Sequence, residues 1–169
     1  MQPLVIPSDV QLEALAARIA IVMQYRALML ASAESCTGGW IAKALTDLSG
    51  SSAWFEAGVV SYSNQAKISL LGVRSETLER TGAVSEETAL EMVSGALNRL
   101  NVGIAVAVTG IAGPAGGTPQ KPVGTVWIGW LRRGGAARAK LFHFPGDREA
   151  VRRQTVAAAL EGVLETLTD

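Results

Sequence analysis

The chain has 169 residues, 49% of them hydrophobic, with fifteen basic against fifteen acidic side chains and no net formal charge. That length suits one compact domain over 1–169, and the charge balance speaks against nucleic-acid binding, where phosphate contacts demand a basic excess or stripe. A single cysteine, Cys36, excludes an internal disulfide, and with only His143 beside it leaves little from which to build a zinc centre.

Met1–Val10 lacks the basic region and apolar run of a signal peptide, and no later stretch approaches the roughly 20 apolar residues that cross a bilayer. The expectation is therefore a cytoplasmic protein that needs neither metal nor cofactor. Ser8 or Asp9 caps a first helix carrying Leu12, Leu15, Ala16, Ile19 and Met23 at helical spacing. Ala27–Ala31 reads as a short buried strand, and Ser35–Asp47 as a helix opened by a polar turn and interrupted by Gly38-Gly39. Gly58–Tyr62 reads as a second strand, since Val59, Val60 and Tyr62 favour that conformation. Ser63–Leu71 and Ser75–Arg80 read as helices before the break at Gly82. Ser85 then caps a longer helix to Leu100, with Glu86 and Glu87 suited to its first turn.

Val102–Val108 is wholly apolar, like a strand buried on both faces. A loop follows over Thr109–Lys121, holding four glycines and two prolines. Val123–Leu131 and Ala137–Phe144 form an antiparallel pair turned at Gly134-Gly135, and Asp147 caps a last helix through Leu167. Strands alternating with helices, then a hairpin, indicate a three-layer α/β/α sandwich with a mixed sheet.

Three segments carry chemistry. In Ala33-Glu34-Ser35-Cys36-Thr37-Gly38-Gly39 a strand gives way to a helix, whose first amides are expected to be free for an anion. Ser35 stands where a nucleophile would attack while amides hold the oxyanion. From spacing alone, the better reading is that Ser35 or Thr37 caps the helix. Tyr62 and Lys67 fall at a strand end and on the first turns of the next helix. A lysine freed of its proton by desolvation can serve as the base for a serine, although an ordinary solvated lysine is the default. His143, between Phe142 and Phe144, reads as a satisfied structural residue. Thr109-Gly110-Ile111-Ala112-Gly113 ends a buried strand where α/β sheets bind ligands, and its glycines let backbone approach an anion. It is neither a Walker loop nor a dinucleotide fingerprint. The small cluster Arg148, Arg152 and Arg153 matches one phosphate group, with Arg148 and Arg152 on one helix face; a solvated pair is equally compatible with the spacing.

Taken together, seven blocks in order resemble the CinA carboxy-terminal domain family. These are Ala33–Gly39, Gly50–Phe55, Tyr62-Ser63-Asn64, Gly82–Ser85, Gly110–Pro114, Lys121–Val126 and Gly146-Asp147-Arg148. The resemblance implies a nicotinamide-nucleotide amidase that converts nicotinamide mononucleotide and water to nicotinic acid mononucleotide and ammonia. It further implies a serine–lysine mechanism, with Ser35 as nucleophile, Lys67 as general base and Tyr62 helping the proton relay. Substrate contacts are expected from Glu34, Thr37, Gly38, Asn64, Thr109, Gly110, Ile111, Ala112, Gly113, Lys121, Gly124, Thr125, Arg148 and Arg152. A small-molecule substrate, no nucleic acid, no membrane and a homodimer complete the expectation. Three rivals remain: a non-catalytic nucleotide-binding module, an amidase for another carboxamide nucleotide, and a Cys36–His143 thiol hydrolase.

Overall fold

The computed structural model describes residues 5–168. Helix α1 (Asp9–Arg26) starts at a capping box, where the Ser8 hydroxyl accepts from the Gln11 amide and the Gln11 side chain accepts from the Ser8 amide. The helix ends at Ala27 in the left-handed region, so β1 covers Leu30–Glu34 rather than Ala27–Ala31. All five β1 residues are buried, including the polar Ser32 and Glu34. Gly38 and Gly39 both take positive φ, which side-chain-bearing residues avoid. They hold the chain in a turn, and α2 is confined to Trp40–Thr46 instead of beginning at Ser35.

After a 3₁₀ turn at Ser51–Ala53, β2 (Phe55–Val60) starts three residues and ends two residues earlier than the Gly58–Tyr62 expectation. Helices α3 (Asn64–Leu71), α4 (Ser75–Thr81) and α5 (Glu86–Arg99) follow, with Ser63 and Ser85 capping α3 and α5 through their hydroxyls. Then come β3 (Ile104–Gly110), β4 (Thr125–Arg132), β5 (Arg138–His143) and α6 (Arg148–Thr168), whose Ala150 amide donates to the Asp147 carboxylate.

The strands form one sheet in the order β2–β1–β3–β4–β5. β1 runs parallel to β2 and β3, while β4 is antiparallel to both β3 and β5. Alternation along the strands divides the core between two faces. Leu30, Ile104, Val106, Val108, Val126, Ile128 and Trp130 meet α1, α2 and α6. Ala31, Ala33, Ala105 and Ala107 meet the layer of α3, α4 and α5. This is the three-layer α/β/α sandwich with a mixed sheet. None of the described helices is long and apolar enough to cross a membrane.

The topology brings the carboxyl ends of β1, β2 and β3 to one rim, where open α/β sheets bind ligands. β4 and β5 add their Thr125 and His143 ends to that rim, since these two residues face each other in register. Small residues on the alanine face let α5 lie close against β4 and α3. A Cβ at Gly95 of α5 would strike the Leu71 carbonyl at the end of α3. We therefore expect Gly95→Ala to cost about 1–3 kcal/mol through overpacking. Equilibrium denaturation checks this, and an unchanged midpoint would contradict the close α3–α5 approach.

Candidate active site

Ser35 follows β1 directly. Its amide donates to the Val108 carbonyl of β3 at 3.1 Å, and its carbonyl accepts from the Gly38 amide at 3.0 Å, closing a tight turn. Ser35 is largely buried at 8% exposure. From the neighbouring parallel strand, the chain after β2 passes through Ser61 and Tyr62 before Ser63 caps α3. Lys67, on the first full turn of α3, points back beneath this segment with 1% of its surface exposed.

The Lys67 amine lies 3.1 Å from Ser35 Oγ, 3.0 Å from the Ser61 carbonyl and 3.5 Å from the Tyr62 carbonyl. Burial pushes its pKa below the ordinary lysine value, because the charged form loses hydration; the neighbouring Cys36 acts weakly in the other direction. A neutral amine has two N–H donors and one lone pair. With both carbonyls occupying the donors, the lone pair is left for the Ser35 hydroxyl. Serine and lysine, 32 residues apart in sequence, thus form a pair able to remove the hydroxyl proton.

Glu34 is wholly buried and faces inward. Its carboxylate accepts from Thr37 Oγ1 at 2.7 Å, the Ile41 amide at 2.8 Å and the Ala42 amide at 3.0 Å. Those first-turn amides of α2 are consequently spent on Glu34 and are not free for an anion. The amides next to Ser35 differ: among the described residues, those of Cys36, Thr37, Ala112 and Gly113 donate to no protein acceptor. Thr37 itself is buried, its hydroxyl committed to Glu34. Gly38 sits beside Arg152, where a Cβ would make only ordinary contact, so its positive φ is what favours glycine.

The glycine-rich loop is stitched to its surroundings. Ile111 donates to the Thr125 carbonyl at 2.9 Å, and Gly124 donates to the Ile111 carbonyl at 2.8 Å. The Thr109 hydroxyl reaches the Ala83 carbonyl at 2.7 Å, and the Thr125 hydroxyl the Pro122 carbonyl at 2.6 Å. Lys121 donates to the Thr81 carbonyl at 2.7 Å, tying the loop to the end of α4. Gly110 lies against Val126 of β4, where no side chain would fit. Asn64 is exposed at the start of α3.

Tyr62 is exposed, and its phenol oxygen accepts from Arg148 Nη2 at 3.1 Å rather than meeting Ser35 or Lys67. What Tyr62 brings to the amine is its main-chain carbonyl. Arg148 Nη1 also donates to the Gly113 carbonyl at 2.8 Å, so this arginine spans the rim from the loop to the β2 side. Arg152 donates to the carbonyls of Cys36 and Thr37. Arg153 leaves the cluster, pairing with Asp9 and Glu149 on the outer side.

The thiol alternative is weak on chemical grounds. Burial pushes Cys36 up to about 12, so its nucleophilic thiolate is scarce at neutral pH. His143 is exposed at the end of β5, where the expectation was a satisfied structural residue. Ser61 and its carbonyl were missed by the sequence reading; the only available signal was its place between the strand and Tyr62.

The model of the CinA C-terminal domain matches residues 12–167. The chain belongs to this family. Among curated relatives of the family, the nicotinamide-nucleotide amidohydrolase PncC of Escherichia coli strain K12 is 49% identical over 154 residues, covering 91% of this chain and 93% of that protein. The Pseudomonas putida protein of the same name is 54% identical over 138 residues, covering 82% and 86%. In structure, the competence/damage inducible protein CihA from Agrobacterium tumefaciens superposes with a TM-score of 0.91 at 46% identity, covering 98% of this chain and 99% of that one.

If Lys67 must be neutral to activate Ser35, the serine reacts faster as pH rises and levels off above the lysine's lowered pKa. We expect a fluorophosphonate probe to label Ser35 with that profile, and Lys67→Met to slow labelling at least about 100-fold, the lower range for a lost general base. Labelling that ignores both pH and the Lys67 substitution would contradict the pairing. Mass spectrometry of the labelled peptide reads the site directly.

Proposed function

We propose that this chain is a nicotinamide-nucleotide amidohydrolase, converting nicotinamide mononucleotide and water to nicotinic acid mononucleotide and ammonia in pyridine-nucleotide recycling. The observation that carries the mechanism is the buried Lys67 amine within 3.1 Å of Ser35 Oγ. The substrate follows from the relatives' names, supported by coverage of nearly their whole length.

In the first half-reaction, neutral Lys67 takes the Ser35 proton as Oγ attacks the carboxamide carbon. The carbonyl electrons move onto oxygen, where the Cys36 amide and the Ala112 or Gly113 amides across the rim receive the charge. The Lys67 ammonium then returns the proton to the amide nitrogen, the C–N bond breaks and ammonia departs. A nicotinoyl ester remains on Ser35. Water enters by the same route, with Lys67 removing its proton, and collapse of the second tetrahedral species releases the carboxylate and restores Ser35. An acyl-enzyme divides one difficult amide hydrolysis into two easier steps, and no metal is required.

Arg148 is the residue we assign to the substrate phosphate. It is exposed at the rim, and its contacts to Tyr62 and Gly113 aim the guanidinium across the mouth. Asn64 and Gly38 are exposed and complete the proposed substrate contacts. Thr109, Lys121, Thr125 and Gly124 hold the loop in place from behind.

We also assign the reaction to the cytoplasm, where a nucleotide substrate is retained, and to a homodimer. Val10, Ile21 and Tyr25 stand exposed on one outer stripe of α1 and supply an apolar surface for a second copy. Sedimentation showing only monomer at micromolar concentration would remove the dimer. For the activity itself, purified protein with nicotinamide mononucleotide and EDTA should release ammonia, and Ser35→Ala should abolish the release. Binding of the nucleotide without ammonia from the unmodified chain would instead support a binding module.

A further inference from the structure

Arg152 is half-buried on α6 and, among the described residues, forms no salt bridge. Arg153 beside it pairs with two carboxylates. The Arg152 guanidinium is spent instead on backbone: Nε donates to the Cys36 carbonyl at 3.1 Å and Nη2 to the Thr37 carbonyl at 3.0 Å. Its Cζ lies over the Trp40 ring, 5.4 Å from the ring centre, which adds a cation–π contact. The fork fits two successive carbonyls, and two of its five N–H groups anchor the side chain to the Ser35 turn this way.

The consequence for Cys36 follows from peptide planarity. The peptide before Cys36 is held because the Ser35 carbonyl accepts from the Gly38 amide. The peptide after it is held because its own carbonyl accepts from Arg152. Each peptide is a rigid trans plane, so a hydrogen bond on either side of Cys36 restricts its φ and ψ. The Cys36 N–H, immediately after the nucleophile and without a protein acceptor, then keeps one direction. A cation on the Cys36 and Thr37 carbonyls also polarises the peptides that follow and strengthens the Thr37 and Gly38 N–H groups as donors, the second of which holds the Ser35 carbonyl.

We propose that Arg152 is a positioning residue for catalysis, locking the Ser35 turn and its Cys36 amide for the oxyanion, and not a ligand of the substrate phosphate. The proposal rests on the serine amidase reading above. It differs from the sequence expectation, which grouped Arg152 with Arg148 at the phosphate. The two arginines lie four residues apart on one helix face and divide the work: Arg148 serves the mouth, Arg152 the floor.

The test compares two substrates, nicotinamide mononucleotide and nicotinamide riboside, which lacks the phosphate. Steady-state kinetics would be measured for the unmodified protein, Arg152→Lys, Arg152→Ala and Arg148→Gln, with folding checked by thermal melts. For Arg152→Lys and Arg152→Ala we expect kcat to fall about 10- to 100-fold, somewhat less than deletion of an oxyanion donor, with KM nearly unchanged. The preference for the phosphorylated substrate should stay at the unmodified protein's level, and added guanidinium should restore part of the Arg152→Ala rate. Arg148→Gln should do the opposite, raising KM and erasing the preference.

A raised KM and a lost phosphate preference in the Arg152 variants would overturn the proposal, as would an unchanged kcat. Should Arg152→Ala fail to fold, Arg152→Lys keeps the stem over Trp40 and carries the same comparison. Failure of the amidase reading would be seen separately, as no ammonia from the unmodified protein.

Discussion

The amine of Lys67 is enclosed by main-chain carbonyls on one side and a serine hydroxyl on the other, and most of the rim is arranged around that enclosure. A lysine in water is almost wholly charged near neutral pH and cannot accept a proton. Removing water weakens the charged form, and this depends on α3 laying its first turn under the Ser61–Tyr62 segment. The Ser63 cap fixes where that helix begins, so a local hydrogen bond to the Ala66 amide determines the reach of the Lys67 side chain.

The serine is set with comparable economy of means from the other side. Glu34 gathers the Thr37 hydroxyl and the first amides of α2, and the strand it ends is hydrogen-bonded to both β2 and β3. Burying a carboxylate is costly unless several donors satisfy it, and here one carboxylate joins a strand end, a turn and a helix start. The left-handed glycines Gly38 and Gly39 let the chain reverse within that space. The consequence is a serine held through its own backbone, its amide by Val108 and its carbonyl by Gly38, with its hydroxyl beside Lys67.

The layers and most helices were legible in the sequence because they depend on local signals. Ser8, Ser85 and Asp147 cap helices where their positions imply, and the apolar run ending at Val108 is a central strand. β1 was misplaced because an apolar run from Ala27 does not reveal where α1 stops, and because Ser32 and Glu34 look like solvent residues. Their burial is made acceptable by partners that arrive later in the chain, Ile41 and Ala42 among them. Lys67 is the same case: its spacing fits a surface lysine, and only Ser35, 32 residues away, makes it something else. Family resemblance named the pair, but the roles of Glu34, Arg152 and the Tyr62 carbonyl needed coordinates. Glu34 and Arg152 were expected to touch substrate and Tyr62 to help the proton relay, whereas Glu34 and Arg152 bond to the protein and Tyr62 meets the amine through its carbonyl.

The central claim is that folding converts Lys67 from a cation into a base. Its most direct test is to follow the Lys67 amine by NMR in lysine-labelled protein, assigned by comparison with Lys67→Met, while pH is raised. Titration clearly below the ordinary lysine value of about 10.4, lost on unfolding, is the predicted result. An amine that titrates at or above that value in the folded protein would contradict the account, because the Ser35 proton would then have no acceptor at neutral pH.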